Sequence, residues 1–322
     1  MTRITFYTTR ARTLRLLCLL LFVLCLVSCG GGTRQAILHA EGDPGYIPCS
    51  AQPLELEIHS PQAFVYDCNR GEILYQKGED RVVYPASTTK LLTILTALEY
   101  LSEDEIITPG DELSLVDAAS SIAYITTAHQ LRVDMLIEGM LLPSGNDAAY
   151  VLAAAAGNRI SGGTAQGAKA IEIFMTRMQQ YATELGLVGT TFTAPDGLAS
   201  EEHYTTVEDM ILIARRAIQS DCIMRYAGLA EDDVTYASGH INHWANTNLL
   251  LQPESIYYRS CVKGLKTGSL TGNYCVIALM EQGEQSYLIG VFGAQNKTVR
   301  YDDATRIIDY LLALHQQEGA AS

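Results

Sequence analysis

Three short stretches of this chain carry side chains suited to acyl transfer: Ser87-Thr-Thr-Lys90, Ser144-Gly-Asn146 and Lys266-Thr-Gly268. A serine hydroxyl is a weak nucleophile until a base takes its proton. An amine can be that base only when it is uncharged. If residues 87–90 open a helix, Ser87 and Lys90 stand at i and i+3 with Cβ atoms about 5–6 Å apart on one face. A helix start also surrounds Ser87 with free backbone N–H groups and the positive end of the dipole. For Lys90 to be half neutral at pH 7, its pKa must fall by about 3.4, or roughly 4.6 kcal/mol. Burial can lower a lysine by up to about 3–5. A second ammonium about 6 Å away would add about 2, and Lys266 is the expected neighbour.

The other two stretches supply the remaining parts of such a site. Ser144 can pass a proton between Lys90 and a leaving amine, and the Asn146 amide can hold both Lys90 and a substrate peptide group. Lys266 and Thr267 suit a substrate carboxylate, while Gly268 lets a ligand backbone approach a strand closely. The N–H groups of Ser87 and Ser269 would form an oxyanion hole. Each stretch also has a plain reading. Ser87 can be a helix cap with Lys90 solvated, Ser144-Gly-Asn146 a turn with Asp147 capping the next helix, and Lys266 the entry to a hairpin. The chain contains its own control, Ser260-Cys-Val-Lys263, with the same spacing. That copy lies in an extended region, where i and i+3 point to opposite faces.

In this order, the three stretches resemble those of the penicillin-recognising serine enzymes. They most closely resemble the low-molecular-mass D-alanyl-D-alanine carboxypeptidases of the bacterial cell wall. Pro85-Ala-Ser-Thr-Thr-Lys90, Asn246-Thr-Asn-Leu-Leu250 and Gly264-Leu-Lys-Thr-Gly268 look like carboxypeptidase segments. Ala194-Pro-Asp-Gly-Leu198 resembles the family's Asn-Pro-His-Gly-Leu with two replacements, and Ser269 stands where some members carry His. His203 sits where the family often has a histidine. The resemblance covers about residues 54–316. It implies a serine D-Ala-D-Ala carboxypeptidase that removes the terminal D-Ala from peptidoglycan stem pentapeptides through an acyl-enzyme on Ser87. Peptidoglycan stem peptides would be its partners and β-lactam antibiotics its acylating inhibitors, with no cofactor or metal. A D,D-endopeptidase would use the same site. A β-lactamase is disfavoured because no Glu-x-x-Asn lies between the second and third stretches. A non-catalytic peptidoglycan-binding lipoprotein is the alternative from another class.

The elements that must position these residues follow from periodicity. Ala63–Asp67 and Glu72–Tyr75 around Asn69-Arg-Gly71 predict a β-hairpin. Helices are expected at 87–101, 133–142, 147–156, 171–185, 206–218 and 302–315. The apolar runs 274–279 and 287–292 have strand length. Strands at both sequence ends with helices between them predict an α/β (α+β) fold like that of β-lactamases and D,D-peptidases. An antiparallel sheet flanked by helices would join an all-helical lobe. The α/β lobe would combine 54–101 with 236–322, and the helical lobe would span 102–235.

The N-terminus reads as an export signal. Arg3, Arg10, Arg12 and Arg15 precede the apolar run Leu16–Val27, which is too short to span a bilayer comfortably. Leu26-Val-Ser-Cys29-Gly30 looks like a bacterial lipoprotein box, so residues 1–28 are expected as signal peptide and Cys29 as the lipidated residue. An uncleaved anchor is the plainer reading. Residues 29–53 contain Gly30-Gly-Gly32, Pro44, Pro48 and Pro53 and are expected as a flexible tether. The catalytic domain would then span 54–322, extracytoplasmic and anchored to the bacterial cell membrane by its N-terminus. Removing residues 1–28 takes away four Arg and no acid, leaving 18 basic against 36 acidic side chains and a formal charge of −18. Such a surface argues against nucleic acid, which needs a cationic face. Five cysteines remain beyond Cys29, an odd number, with Cys49–Cys68 or Cys222–Cys261 as conceivable bridges. His240-Ile-Asn-His243 lacks the Glu of a zincin helix and is not assigned to metal.

Overall fold

The computed structural model describes residues 34–198 and 200–321, with side chains as far as 317. The expected signal peptide 1–28 and Cys29 lie outside the described residues. Residues 35–322 form one compact unit.

The sheet has five strands: β1 (Gln62–Asp67), β2 (Glu72–Lys77), β7 (Val262–Leu270), β8 (Asn273–Gln282) and β9 (Gln285–Ala294). Their order is β2-β1-β9-β8-β7, and every neighbouring pair is antiparallel. The strands read as continuous apolar runs because both faces of the sheet are covered. Phe64, Tyr66, Ile277 and Phe292 turn to the helical core, whereas Ala63, Val65, Val276, Ala278 and Val291 turn to the opposite face. There Tyr301, Ala304, Ile307 and Ile308 of the last helix, α7 (Lys297–Ala321), seal them. β7 is left at the edge of the sheet, so the third stretch faces the turn that carries Ser87 rather than another strand.

Between the strands run α1 (Lys90–Leu98), two short paired strands β3 (Ile106–Ile107) and β4 (Leu131–Arg132), then α2 (Val133–Leu141) and α3 (Asn146–Ile160). They are followed by α4 (Gly167–Glu184), α5 (Val207–Ala217) and α6 (Asp221–Ala227). Helix starts follow local chemistry: the Thr206 hydroxyl accepts from Asp209 N at 3.0 Å and caps α5. A hairpin, β5 (Glu231–Thr235) with β6 (Ile241–Ala245), completes the chain order before β7.

Two stretches lie differently from the expectation. Residues 236–245, grouped by sequence with the sheet lobe, dock on the helical side. There Trp244 is buried against Gly139, and its Nε1 donates to Ala123 O at 3.1 Å. Tyr236, with its ring centroid 5.9 Å away, covers the indole together with α2. Residues 35–53, expected as free tether, run along the body. Ile47 joins the helical core, His39 Nε2 meets Asp209 Oδ1 at 2.9 Å, and Ile73 N donates to Pro48 O at 2.9 Å. All five described cysteines are free thiols, so neither conceivable bridge is formed.

Glu138 on α2 is 3% exposed and faces Asp232 of β5. Burial first, then the hydrogen bond and charge of Asp232, push its pKa up to about 8. A carboxyl that is neutral when folded and ionised when unfolded binds more protons in the native state between its ordinary value of 4.5 and about 8. Stability is therefore lost as pH rises through that window. We predict that Glu138→Gln, which fixes the neutral form, loses about 1–2 kcal/mol less than wild type between pH 6 and 9, a difference of a few degrees in Tm. Thermal unfolding across that range checks this, and parallel Tm–pH curves for the two proteins would refute it.

Candidate active site

The first stretch begins in a single 3-10 turn, Ala86–Thr89, rather than in the α-helix itself, which starts at Lys90. Pro85 O anchors the turn, accepting from Thr88 N at 3.1 Å and Thr88 Oγ1 at 2.7 Å. Ala86 is held at φ +49° and Gly197 at φ +81°. A Cβ on Gly197 would stand 1.9 Å from Ala86 O, so only glycine lets the 194–198 loop reach the turn.

Lys90 is wholly buried at the meeting point of three segments. Its Nζ donates to Ser87 Oγ at 3.0 Å, to Asn146 Oδ1 at 2.7 Å and to Asp196 O at 2.9 Å. Burial lowers its pKa from 10.5 to about 8, opposed by the Asp196 and then the Asp147 carboxylates. About one lysine in ten is then neutral at pH 7, short of the half expected. The control does not pair either: residues 260–261 form a turn before β7 rather than extended chain, and the exposed Lys263 Nζ reaches Ser260 O at 3.3 Å, not the hydroxyl.

Ser144 is 5% exposed and sits at φ +63° in the loop between α2 and α3, a left-handed conformation serine rarely adopts. Such strain persists only where surroundings over-determine it. Here Gly145 N donates to Gly139 O and Asn146 N to Ser121 O, each at 2.8 Å. The buried Asp147 carboxylate accepts from Ala123 N at 2.8 Å, Ala148 N at 2.9 Å and Ile125 N at 2.9 Å. Asp147 thus braces the loop across from Asn146 besides starting α3.

On β7, Lys266 is 1% exposed and its Nζ has no hydrogen-bond partner among the described residues. Burial pushes its pKa well down, and the charges of Lys90 and Arg300 push the same way. The expected repulsion between the two lysines therefore acts on Lys266, because Lys90 has three acceptors and Lys266 has none. Gly268 packs directly on the Ser87 turn, where a Cβ would meet Pro85 O at 2.7 Å and Ser87 N at 3.1 Å. The strand thereby brings Ser269 beside Ser87.

Sequence reasoning did not single out three contributors. Asp196 was visible only as a replacement within Ala194–Leu198, yet its carbonyl fixes Lys90. Thr247, within the quoted Asn246–Leu250 segment, shares a 2.7 Å hydroxyl contact with Thr267. Arg300, buried at the start of α7, donates to Gly268 O at 3.1 Å, Ser269 Oγ at 3.2 Å and Cys275 O at 3.2 Å. No local pattern marks an arginine 31 residues after Ser269 as its support. His203 lies behind the turn, bonded through Nε2 to Thr89 Oγ1 at 2.8 Å, and burial lowers its pKa to about 4. His240 stacks on His129 with ring centroids 4.6 Å apart, while His243 pairs with Asp233 at 2.8 Å.

Among solved structures, the chain resembles the Streptomyces K15 DD-transpeptidase with a TM-score of 0.72 and 28% identity, over 81% of this chain and 99% of that one. It also resembles penicillin-binding protein D2 of Listeria monocytogenes, solved in an ampicillin-bound form, with a TM-score of 0.64, 27% identity and 80% and 98% coverage. The fold and its serine–lysine pair thus define the class of the penicillin-binding serine DD-peptidases. The chain belongs to the D-alanyl-D-alanine carboxypeptidase family, whose profile matches residues 49–296. Curated relatives include the D-alanyl-D-alanine carboxypeptidase of Streptomyces sp. strain K15, 30% identical over 88% of this chain and 96% of that protein. D-alanyl-D-alanine carboxypeptidase DacF of Bacillus subtilis is 29% identical over 81% of this chain, which spans 64% of that relative's length.

Proposed function

We propose that this chain is a serine carboxypeptidase that removes the terminal D-Ala from peptidoglycan stem pentapeptides, held outside the cytoplasm by a lipid on Cys29. The observation that carries the reading is the wholly buried Lys90 amine 3.0 Å from Ser87 Oγ. Neutral Lys90 takes the Ser87 proton as Oγ bonds to the penultimate D-Ala carbonyl carbon. The resulting oxyanion rests on the N–H groups of Ser87 and Ser269. Collapse breaks the C–N bond, and Ser144 hands a proton from Lys90 to the departing D-Ala nitrogen. Water, deprotonated by Lys90 in turn, then cleaves the ester and frees the shortened peptide. Lys266 and Thr267 bind the terminal carboxylate, which supplies the buried Lys266 amine with the counter-charge it lacks among the described residues. A β-lactam acylates Ser87 by the same steps, and its leaving group stays tethered.

The test is intact-mass analysis after incubation with benzylpenicillin. One adduct is expected on the wild type and none on Ser87→Ala. Slow release of that adduct fits a carboxypeptidase, and rapid turnover would instead make the protein a β-lactamase. An adduct on Ser87→Ala would remove the assignment of the nucleophile.

A further inference from the structure

We propose that the exposed side chains of Ile37, Leu38, Tyr46 and Val188 form a docking surface for the lipid bilayer to which the N-terminus is attached. The proposal rests on the membrane attachment in the reading above and names the face of the body that meets the lipid.

All four side chains are large and hydrophobic yet open to solvent, Ile37 most of all at 62%. Their backbone is nevertheless held. Ala36 N donates to Asp80 O at 3.0 Å, His39 N donates to Glu208 Oε2 at 3.0 Å, and the buried His39 ring meets Asp209 Oδ1 at 2.9 Å. Ile37 and Leu38 are thus pinned from both sides with their side chains turned outward. The other two residues share this spot. Val188 N donates to the same Asp209 Oδ1 at 3.2 Å, and a Cβ on Gly189 would stand 3.1 Å from Ile37 O. Gly45, beside Tyr46, lies so near that its Cβ would stand 3.0 Å from His39 Cε1. A gathered apolar patch of this kind marks an interaction site, and an amphipathic tyrosine ring suits the level of lipid headgroups.

The path of the chain says what covers the patch. Gln35 is bridged to Arg81, so the N-terminal segment departs from the body two residues before Ile37. Cys29 precedes Gln35 by six residues, and Val27, the end of the apolar run, precedes it by eight. Fully extended, those lengths reach at most about 22 Å and about 29 Å. A lipid on Cys29 and an uncleaved apolar anchor therefore both bring this face of the body to the bilayer. A tether so short holds the two surfaces at an effective concentration on the order of millimolar, so weak intrinsic affinity is enough for contact. Glu41 and Asp43 lie exposed beside the patch, so apolar burial drives the contact and anionic lipid does not. Docking would fix the orientation of the catalytic body instead of letting it swing on its tether.

The experiment uses the full chain, extracted with its own N-terminus and reconstituted in phosphatidylcholine vesicles with plain or brominated acyl chains. Bromine quenches tryptophan emission on contact. The wild type has one tryptophan, the buried Trp244, and sets the baseline. Val188→Trp and Tyr46→Trp are each expected to lose most of their added emission in brominated vesicles. Bromine near the top of the acyl chain should quench more than bromine near its end, because a docked surface enters about 5–10 Å into the headgroup and acyl boundary. Ile256→Trp, exposed before β7 at the opposite edge of the sheet, is expected to keep its emission. Adding Ile37→Asp and Leu38→Asp to Val188→Trp is expected to restore the lost signal. A penicillin adduct on Ser87 in each variant shows that the body is folded. Two unquenched patch probes on vesicle-retained protein would overturn the docking surface and leave the membrane attachment standing. Cross-linking of two copies through the patch with those probes unquenched would overturn it in favour of self-association, and equal quenching of Ile256→Trp would overturn the choice of face. Protein that leaves the vesicles altogether would overturn the attachment itself.

Discussion

Lys90→Gln is expected to be acylated by penicillin up to about 10⁴-fold more slowly than the wild type, while keeping its fold. A positioned general base contributes about 10²–10⁴ in rate, and here no other amine lies within hydrogen-bonding distance of Ser87 Oγ among the described residues. Glutamine has comparable length, and its amide can still donate to Asn146 Oδ1 or Asp196 O, the acceptors that Lys90 now satisfies. The loss would then reflect basicity rather than a collapsed pocket. The wild type should show the matching pH dependence. With Lys90 at about 8, the acylation rate rises about tenfold per pH unit below that value and levels off above it. Asp196 holds the proton on Lys90, so Asp196→Asn should move the midpoint to lower pH. Stopped-flow acylation by a fluorescent penicillin from pH 6 to 9.5 measures all three proteins. A Lys90→Gln rate within threefold of wild type would sink the assignment of the base.

Gly268→Val is the second change with a large expected effect, a loss of acylation of about 10² or more. A Cβ at this position would lie 2.7 Å from Pro85 O, 2.9 Å from Ala86 Cβ and 3.1 Å from Ser87 N. Two of these atoms belong to the backbone of the nucleophile turn, which cannot rotate aside as a flexible side chain does. The edge strand must retreat, carrying Ser269 N–H and the Lys266-Thr267 pair away from Ser87. Misplacement by about 1 Å costs a reaction of this kind roughly 10²-fold. Gly268→Ala meets the same atoms without the branch and should lose less. Overpacking should also lower stability by about 1–3 kcal/mol. Penicillin acylation rates and thermal unfolding on the same samples separate the two effects. A Gly268→Val protein that acylates at nearly the wild-type rate would mean the strand is not held where the structure places it.

Much of this arrangement was legible in the chain because its signals are local. The helix over 207–217 followed from apolar periodicity, which predicts it over 206–218. The strands β8 and β9 followed from unbroken apolar runs, since a sheet covered on both faces has no polar side to alternate with. The spacing of Ser87 and Lys90 needed only one helical turn. The hairpin of β5 and β6 was less legible, because its burial depends on Trp244 finding Gly139 across the fold. The path of residues 35–53 was hidden for a similar reason. Glycine and proline there suggested a free spacer, but His39 and Ile47 meet partners that lie far along the chain.

By itself, the sequence determined the chemical inventory: two serine hydroxyls, two amines, an amide and a glycine, each placed on a helix start, loop or strand that local propensity dictates. Tertiary structure alone decided how charged those amines are and what holds them. Lys90 acquires two of its acceptors from segments 56 and 106 residues away, Lys266 Nζ has no hydrogen-bond partner among the described residues, and Arg300 braces Ser269 from behind the sheet. The reason is that burial and Coulomb interaction depend on distance through space, and distance along the chain carries no record of it.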